Sequence, residues 1–174
     1  MFKKFITISS VFFFLSGCSG MALHSFKDAK PELVLEDYFK GRTEAWGIFE
    51  DRFGKLRRQF KVTIDGTWDG KTLTLDERFK YDDGETDQRI WRITKLGKGK
   101  YEGTAADVIG IATGEASGNA LNWRYDMDLK VGDGSFKVTF NDWMFLQSDG
   151  VLINRARVSK LGIEIGSVTL FFKK

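Results

Sequence analysis

The sequence predicts an all-β protein: a single up-and-down antiparallel β-barrel of eight to ten strands with a short N-terminal helix. Three observations carry this. Nineteen glycines stand against one proline, Pro31, a balance that suits twisted strands joined by glycine turns. From Thr43 onward, strand-like runs alternate with glycine turns at a spacing of roughly twelve to sixteen residues. Within the runs, apolar residues keep a period of two. Phe60, Val62 and Ile64 share one face, and so do Leu121, Trp123, Tyr125, Met127 and Leu129. Strands of this kind must hide one face and their edges, and closing into a barrel does both. A two-layer sandwich is the competing arrangement.

The first element is an export signal over residues 1–17. Lys3 and Lys4 precede an apolar run from Phe5 to Leu15. That run is too short to cross a hydrocarbon core, which takes about 20 residues. Leu15-Ser16-Gly17-Cys18 fits the lipoprotein signal peptidase pattern, so Cys18 is expected to become the acylated first residue. Ser19 beside it, rather than Asp, resembles lipoproteins exported to the outer membrane. The expected location is therefore the cell envelope, anchored in the outer membrane and facing the periplasm. Residues 18–30 are polar and small and read as a lipidated tether, leaving 31–174 as the barrel domain.

Pro31 to Phe39 is the one helix the pattern supports, with proline in the first turn, acids near the start and Gly41 to stop it. Strands follow near 43–52, 56–65, 71–81, 87–95, 100–104, 107–115, 119–130, 135–146, 150–159 and 163–172. Turns at Asp69-Gly70, Asp82-Asp83-Gly84, Gly97-Lys98-Gly99, Ser117-Gly118-Asn119, Gly132-Asp133-Gly134 and Asp149-Gly150 separate most of them, using residues that tolerate positive φ.

Charge and composition exclude several functions. Without residues 1–17 the chain carries 25 Lys and Arg against 24 Asp and Glu, so it offers no electrostatic basis for nucleic acid. Cys18 is the sole cysteine and His24 the sole histidine, and His24 falls in the tether. A Ser-His-Asp triad, a cysteine nucleophile and a zinc cluster are thereby ruled out of the domain. Asp82, Asp83, Glu85 and Asp87 crowd one turn but lack the EF-hand spacing, and read as a solvated hairpin tip. No metal, cofactor or enzymatic activity is expected.

Three charges fall in phase with apolar faces. Glu77 lies among Leu73, Leu75, Phe79 and Tyr81, Asp142 lies between Phe140 and Met144, and Arg155 follows Val151 and Ile153. A buried charge costs several kcal/mol unless paired. These three are the candidate polar patch of a lumen, either meeting one another or facing an enclosed ligand; bulges that turn them to solvent are the alternative. Trp46, Trp91, Trp123 and Trp143 are the candidate lumen aromatics.

The segments AWGIFEDR at 45–52, IDGTWDGKTLTLDE at 64–77, YDDGETDQRIW at 81–91, GTAADVIGIATGEASGNALNWRY at 103–125 and DWMFLQSDGVLINRA at 142–156 resemble domain-of-unknown-function family 3833, a set of bacterial lipoproteins. The resemblance implies a lipoprotein without an established biochemical role. A weaker one is to lipocalins and other calycins: LEDYFKGRTEAWG at 35–47 places a short helix and a glycine ahead of a tryptophan at the first strand. The function expected is binding of a lipid, fatty acid or other apolar small molecule in the lumen. The alternative is a non-catalytic scaffold with a side-chain-filled barrel that docks an envelope protein.

Overall fold

A computed structural model describes residues 20–131 and 134–174. Residues 1–17 and Cys18 lie outside the described residues, as do Gly132 and Asp133 of one predicted turn. The chain forms a closed barrel of ten antiparallel strands in sequence order. They are β1 (Gly41–Asp51), β2 (Leu56–Trp68), β3 (Thr72–Tyr81), β4 (Thr86–Gly97), β5 (Lys100–Thr104), β6 (Val108–Ser117), β7 (Ala120–Val131), β8 (Gly134–Leu146), β9 (Leu152–Lys160) and β10 (Ile163–Lys173). Every strand pairs with its neighbour in sequence, and β1 closes on β10 with Trp46 opposite Phe171 and Phe49 opposite Val168. Closure removes both sheet edges, and ten strands enclose a wider interior than eight.

Alternation sorts side chains into wall interior and exterior. On β3, Leu73 and Leu75 are buried while Arg78 and Lys80 are exposed; on β7, Leu121, Trp123, Tyr125 and Met127 are buried while Arg124 and Asp128 are exposed. Glycines appear where a ring lies flat on the wall. A Cβ at Gly114 would sit 2.1 Å from the Trp123 ring, and one at Gly47 would sit 2.4 Å from the Phe60 ring.

The helix is shorter than its sequence pattern. α1 spans Leu35–Phe39, and Val34 ahead of it is extended. The reason is tertiary: the Leu33 N–H donates to the Gly118 carbonyl at 2.8 Å, so this stretch is bound to the β6–β7 turn instead of coiling. α1 then stoppers one end of the barrel. Leu35, Tyr38 and Phe39 are buried, and the Phe39 ring meets that of Phe172 edge-on at 5.6 Å. The Tyr38 hydroxyl reaches the carbonyls of Gly150 at 3.1 Å and Phe172 at 3.2 Å. Gly66 on β2 lets the helix seat this closely, because a Cβ there would lie 1.8 Å from the Phe39 carbonyl oxygen.

Glu36 locks the stopper from the side. It is buried, ion-paired to Lys95 on β4, and accepts a hydrogen bond from the Tyr101 hydroxyl at 3.0 Å. Burial pushes its pKa up, but the hydrogen bonds from Lys95, its own backbone N–H and Tyr101 outweigh that and leave it below the ordinary value.

The stretch read as a free tether is docked from its 3₁₀ turn at Leu23–Phe26 onward. The Phe26 ring packs against Phe145 at 5.6 Å and Trp143 at 6.2 Å on the outer wall.

Candidate functional site

Behind the stopper lies a connected cavity of about 780 Å³. It runs from Leu35 and Phe39 at the closed end to Arg57, Glu85 and Lys130 at the opposite end, where those three side chains are exposed and form a rim. Most of its wall is aliphatic or aromatic. Rings of Trp91, Trp123 and Tyr125 stand at large angles to one another: Trp91 meets Trp123 at 5.6 Å and 76°, and Tyr125 at 5.3 Å and 80°. Tyr125 in turn stacks on Phe140 at 5.0 Å.

Polar groups interrupt this wall at mid-depth. Glu77 projects inward from β3 and Asp142 from β8, as their phase with apolar neighbours predicts. Enclosure pushes the Glu77 carboxyl up to about 7; the Arg89 charge opposes this, and Asp107 and Asp76 add to it. Asp142 is 6% exposed. Enclosure likewise pushes it up to about 7, against the pull of Arg89 and a hydrogen bond from Tyr125 and with the help of Glu77. Its Oδ1 has no hydrogen-bond partner among the described residues. The Tyr125 phenol is driven well above its ordinary range, by burial first and by the Asp142 charge second.

Arg58 on β2 lines the cavity but is paired with Asp83 and Glu85. The cation acting on both carboxyls is Arg89 on β4, which sequence reasoning missed. Its guanidinium holds Asp107 at 2.7 Å through Nη2 and at 2.9 Å through Nε, and lies 5.5 Å from the Phe79 ring centre. Burial lowers its pKa, but the charges of Tyr125, Glu77 and Asp107 overcome that and raise it above the ordinary value. Arg89 shares a face with Trp91 and Ile93, so the in-phase rule that found Glu77 would have found it too. Asp107 lies in the β5–β6 connection, where no periodicity marks it.

Arg155 must be corrected. The inward face of β9 is Leu152, Asn154, Ala156 and Val158, so Arg155 is exposed on the outside, opposite Trp143 of β8. The face containing Val151 and Ile153 points outward, the reverse of the parity inferred. Two of the four tryptophans also leave the lumen. Trp143 stacks on Phe145 at 6.1 Å on the outer wall. Trp46 is 40% exposed beside Phe171, because β1 turns Ala45 and Gly47 inward to make room for the Phe60 ring. Trp91 and Trp123 are lumen residues as expected.

The arrangement can hold an elongated molecule of largely apolar character and offer it one polar level part-way down. Among the described residues, no group of three or more His, Cys, Asp and Glu is placed to hold a metal ion. A comparison with curated proteins finds no match. The model of a family described as protein of unknown function (DUF3833) matches residues 12–174, nearly the whole chain, and the protein belongs to that family.

Proposed function

We propose that this protein is a lipid-anchored envelope protein, held in the outer membrane through acylated Cys18 and facing the periplasm, whose barrel carries one apolar or amphipathic small molecule without transforming it. The observation that supports the carrier reading best is the hollow interior of about 780 Å³, within the roughly 300–1,000 Å³ common for small-molecule sites. A scaffold that worked through its outer face would have no use for such a space, and filling it with side chains would add stability. The anchor rests on Leu15-Ser16-Gly17-Cys18. The lining holds neither histidine nor thiol, so a nucleophile of those types has no place in the proposed role.

The test is extraction of the natively purified full chain into organic solvent, followed by mass spectrometry. One class of amphiphile recovered reproducibly at near one per chain is the expected result. Repeated recovery of nothing, from preparations never exposed to detergent above its micelle concentration, would remove the carrier reading.

A further inference from the structure

Charges at the polar level of the lumen do not balance. One cation, Arg89, faces three carboxyls, Glu77, Asp107 and Asp142. Arg89 is committed to Asp107 through two short contacts. Among the described residues neither Glu77 nor Asp142 has an ion-pair partner within 4.0 Å, although both residues line the cavity; Oδ1 of Asp142 is unpartnered and itself closed off from the lumen. A carboxylate enclosed without a counter-charge is costly, a cost that a bound cation would relieve. Above about pH 7, where Glu77 and Asp142 have given up their protons, a carboxylate ligand would add a fourth negative group to a level with one occupied cation. A ligand bearing positive charge would correct the imbalance.

The surrounding rings suit the same charge. Trp91, Trp123 and Tyr125 border the cavity at this level with their planes 76–80° apart where Trp91 meets the other two. Aromatic walls at an angle, next to carboxylates, are the environment that attracts alkylammonium groups through the ring quadrupole. Apolar wall continues in both directions, to Leu35 and Phe39 below and to Phe79 and Leu129 above, so a hydrocarbon chain attached to the head has a place to lie.

We propose that the lumen is built for an amphipathic cation, a long-chain amine or quaternary ammonium, with its positive head between Glu77, Asp142 and the Trp91, Trp123 and Tyr125 rings. This rests on the carrier reading and names its ligand class. The groups that set the charge there are Glu77 on β3, Arg89 on β4, Asp107 after β5, Tyr125 on β7 and Asp142 on β8; Asp76, the neighbour of Glu77, adds a weaker negative contribution. Flanking β9 contributes only the neutral Asn154 and apolar groups to this part of the wall.

The experiment loads the full chain with N-phenylnaphthylamine, a neutral apolar dye, and displaces it with dodecyltrimethylammonium, dodecanol or dodecanoate below their micelle concentrations. At pH 8 the ammonium compound should displace dye at about one-tenth the concentration the other two need. That advantage should shrink at pH 6, where both carboxyls take up protons, and vanish in the Glu77→Gln/Asp142→Asn double variant. Should the double variant fail to fold by circular dichroism, Glu77→Gln alone should cut the advantage at least threefold, roughly. Equal displacement by all three compounds, or an advantage that survives the substitutions, overturns the charge assignment and leaves the carrier reading standing. Failure of the chain to take up dye or any of the three overturns both.

Discussion

Glu77 on β3 and Arg89 on β4 stand directly opposite each other in register, yet Arg89 gives its short contacts to Asp107. Glu77 is therefore left in an enclosed setting without an ion pair within 4.0 Å among the described residues, and Asp142 across the lumen shares that condition. Both carboxyls titrate in the fold at about 7, above their ordinary 4.5 and 3.8. Between those values the folded chain binds more protons than the unfolded chain, so stability contributed by these groups is complete below about pH 4 and is lost as pH rises through 7. Relative to the parent, the Glu77→Gln/Asp142→Asn variant should gain about 2–4 kcal/mol at pH 8 and little at pH 4. Urea unfolding across pH 4–8 reads this directly, and a difference that does not grow with pH would refute it.

The Glu36 lock predicts an effect at the closed end. Glu36→Ala strands the Tyr101 hydroxyl and leaves Lys95, whose side chain is 35% exposed, without its partner. A loss of about 2–3 kcal/mol follows, less than for a fully enclosed pair because water still reaches the lysine. Chemical denaturation measures the loss, and hydrogen exchange should show the stopper opening before the barrel.

Gly118 combines a φ of +55° with contact to the docked N-terminal segment: a Cβ there would lie 1.8 Å from the Phe26 carbonyl oxygen and 2.9 Å from that of Ala29. Gly118→Ala should lift residues 23–30 from the wall while the strands stay paired. Trypsin should then cut after Lys27 several-fold faster, with the far-ultraviolet circular dichroism unchanged.

Leu161 shows the opposite sign. It turns the β9–β10 hairpin with a φ of 50°, and it is 95% exposed, so it gives up no buried contact when replaced. Lys160 and Ile163 pair on either side, leaving a two-residue turn with positive φ at both positions, the conformation that Asn-Gly fits best. Leu161→Asn should raise stability by about 0.5–1 kcal/mol, visible as a higher thermal midpoint.

Ten strands were legible because glycine turns and period-two runs are local properties, and each run sits within a few residues of its observed bounds. Which face turns inward was legible only where one face was polar. On β7, charged residues alternate with aromatic ones and leave no doubt. On β8 the outer face is polar from Ser135 to Asn141 but ends in Trp143 and Phe145, which Phe26 covers from outside, so the aromatic end of the strand misleads. On β1 the inward residues are the small Ala45 and Gly47, so the bulky Trp46 misleads. Arg155 failed for the same reason: Val151 and Ile153 are as apolar as Leu152 and Ala156, and hydropathy alone cannot choose between them. The site was half legible. Glu77 and Asp142 followed from their phase, whereas Asp107 comes from a connection whose position depends on the whole barrel.

With α1 seated on Gly66 and latched by Glu36, the interior becomes a cul-de-sac whose doorway lies among Arg57, Glu85 and Lys130. In the carrier proposed above, a passenger could not file through and would have to back out before another arrived. Turnover would then depend on what meets that doorway, and a competitor waiting outside would speed departure only after the occupant had begun to withdraw.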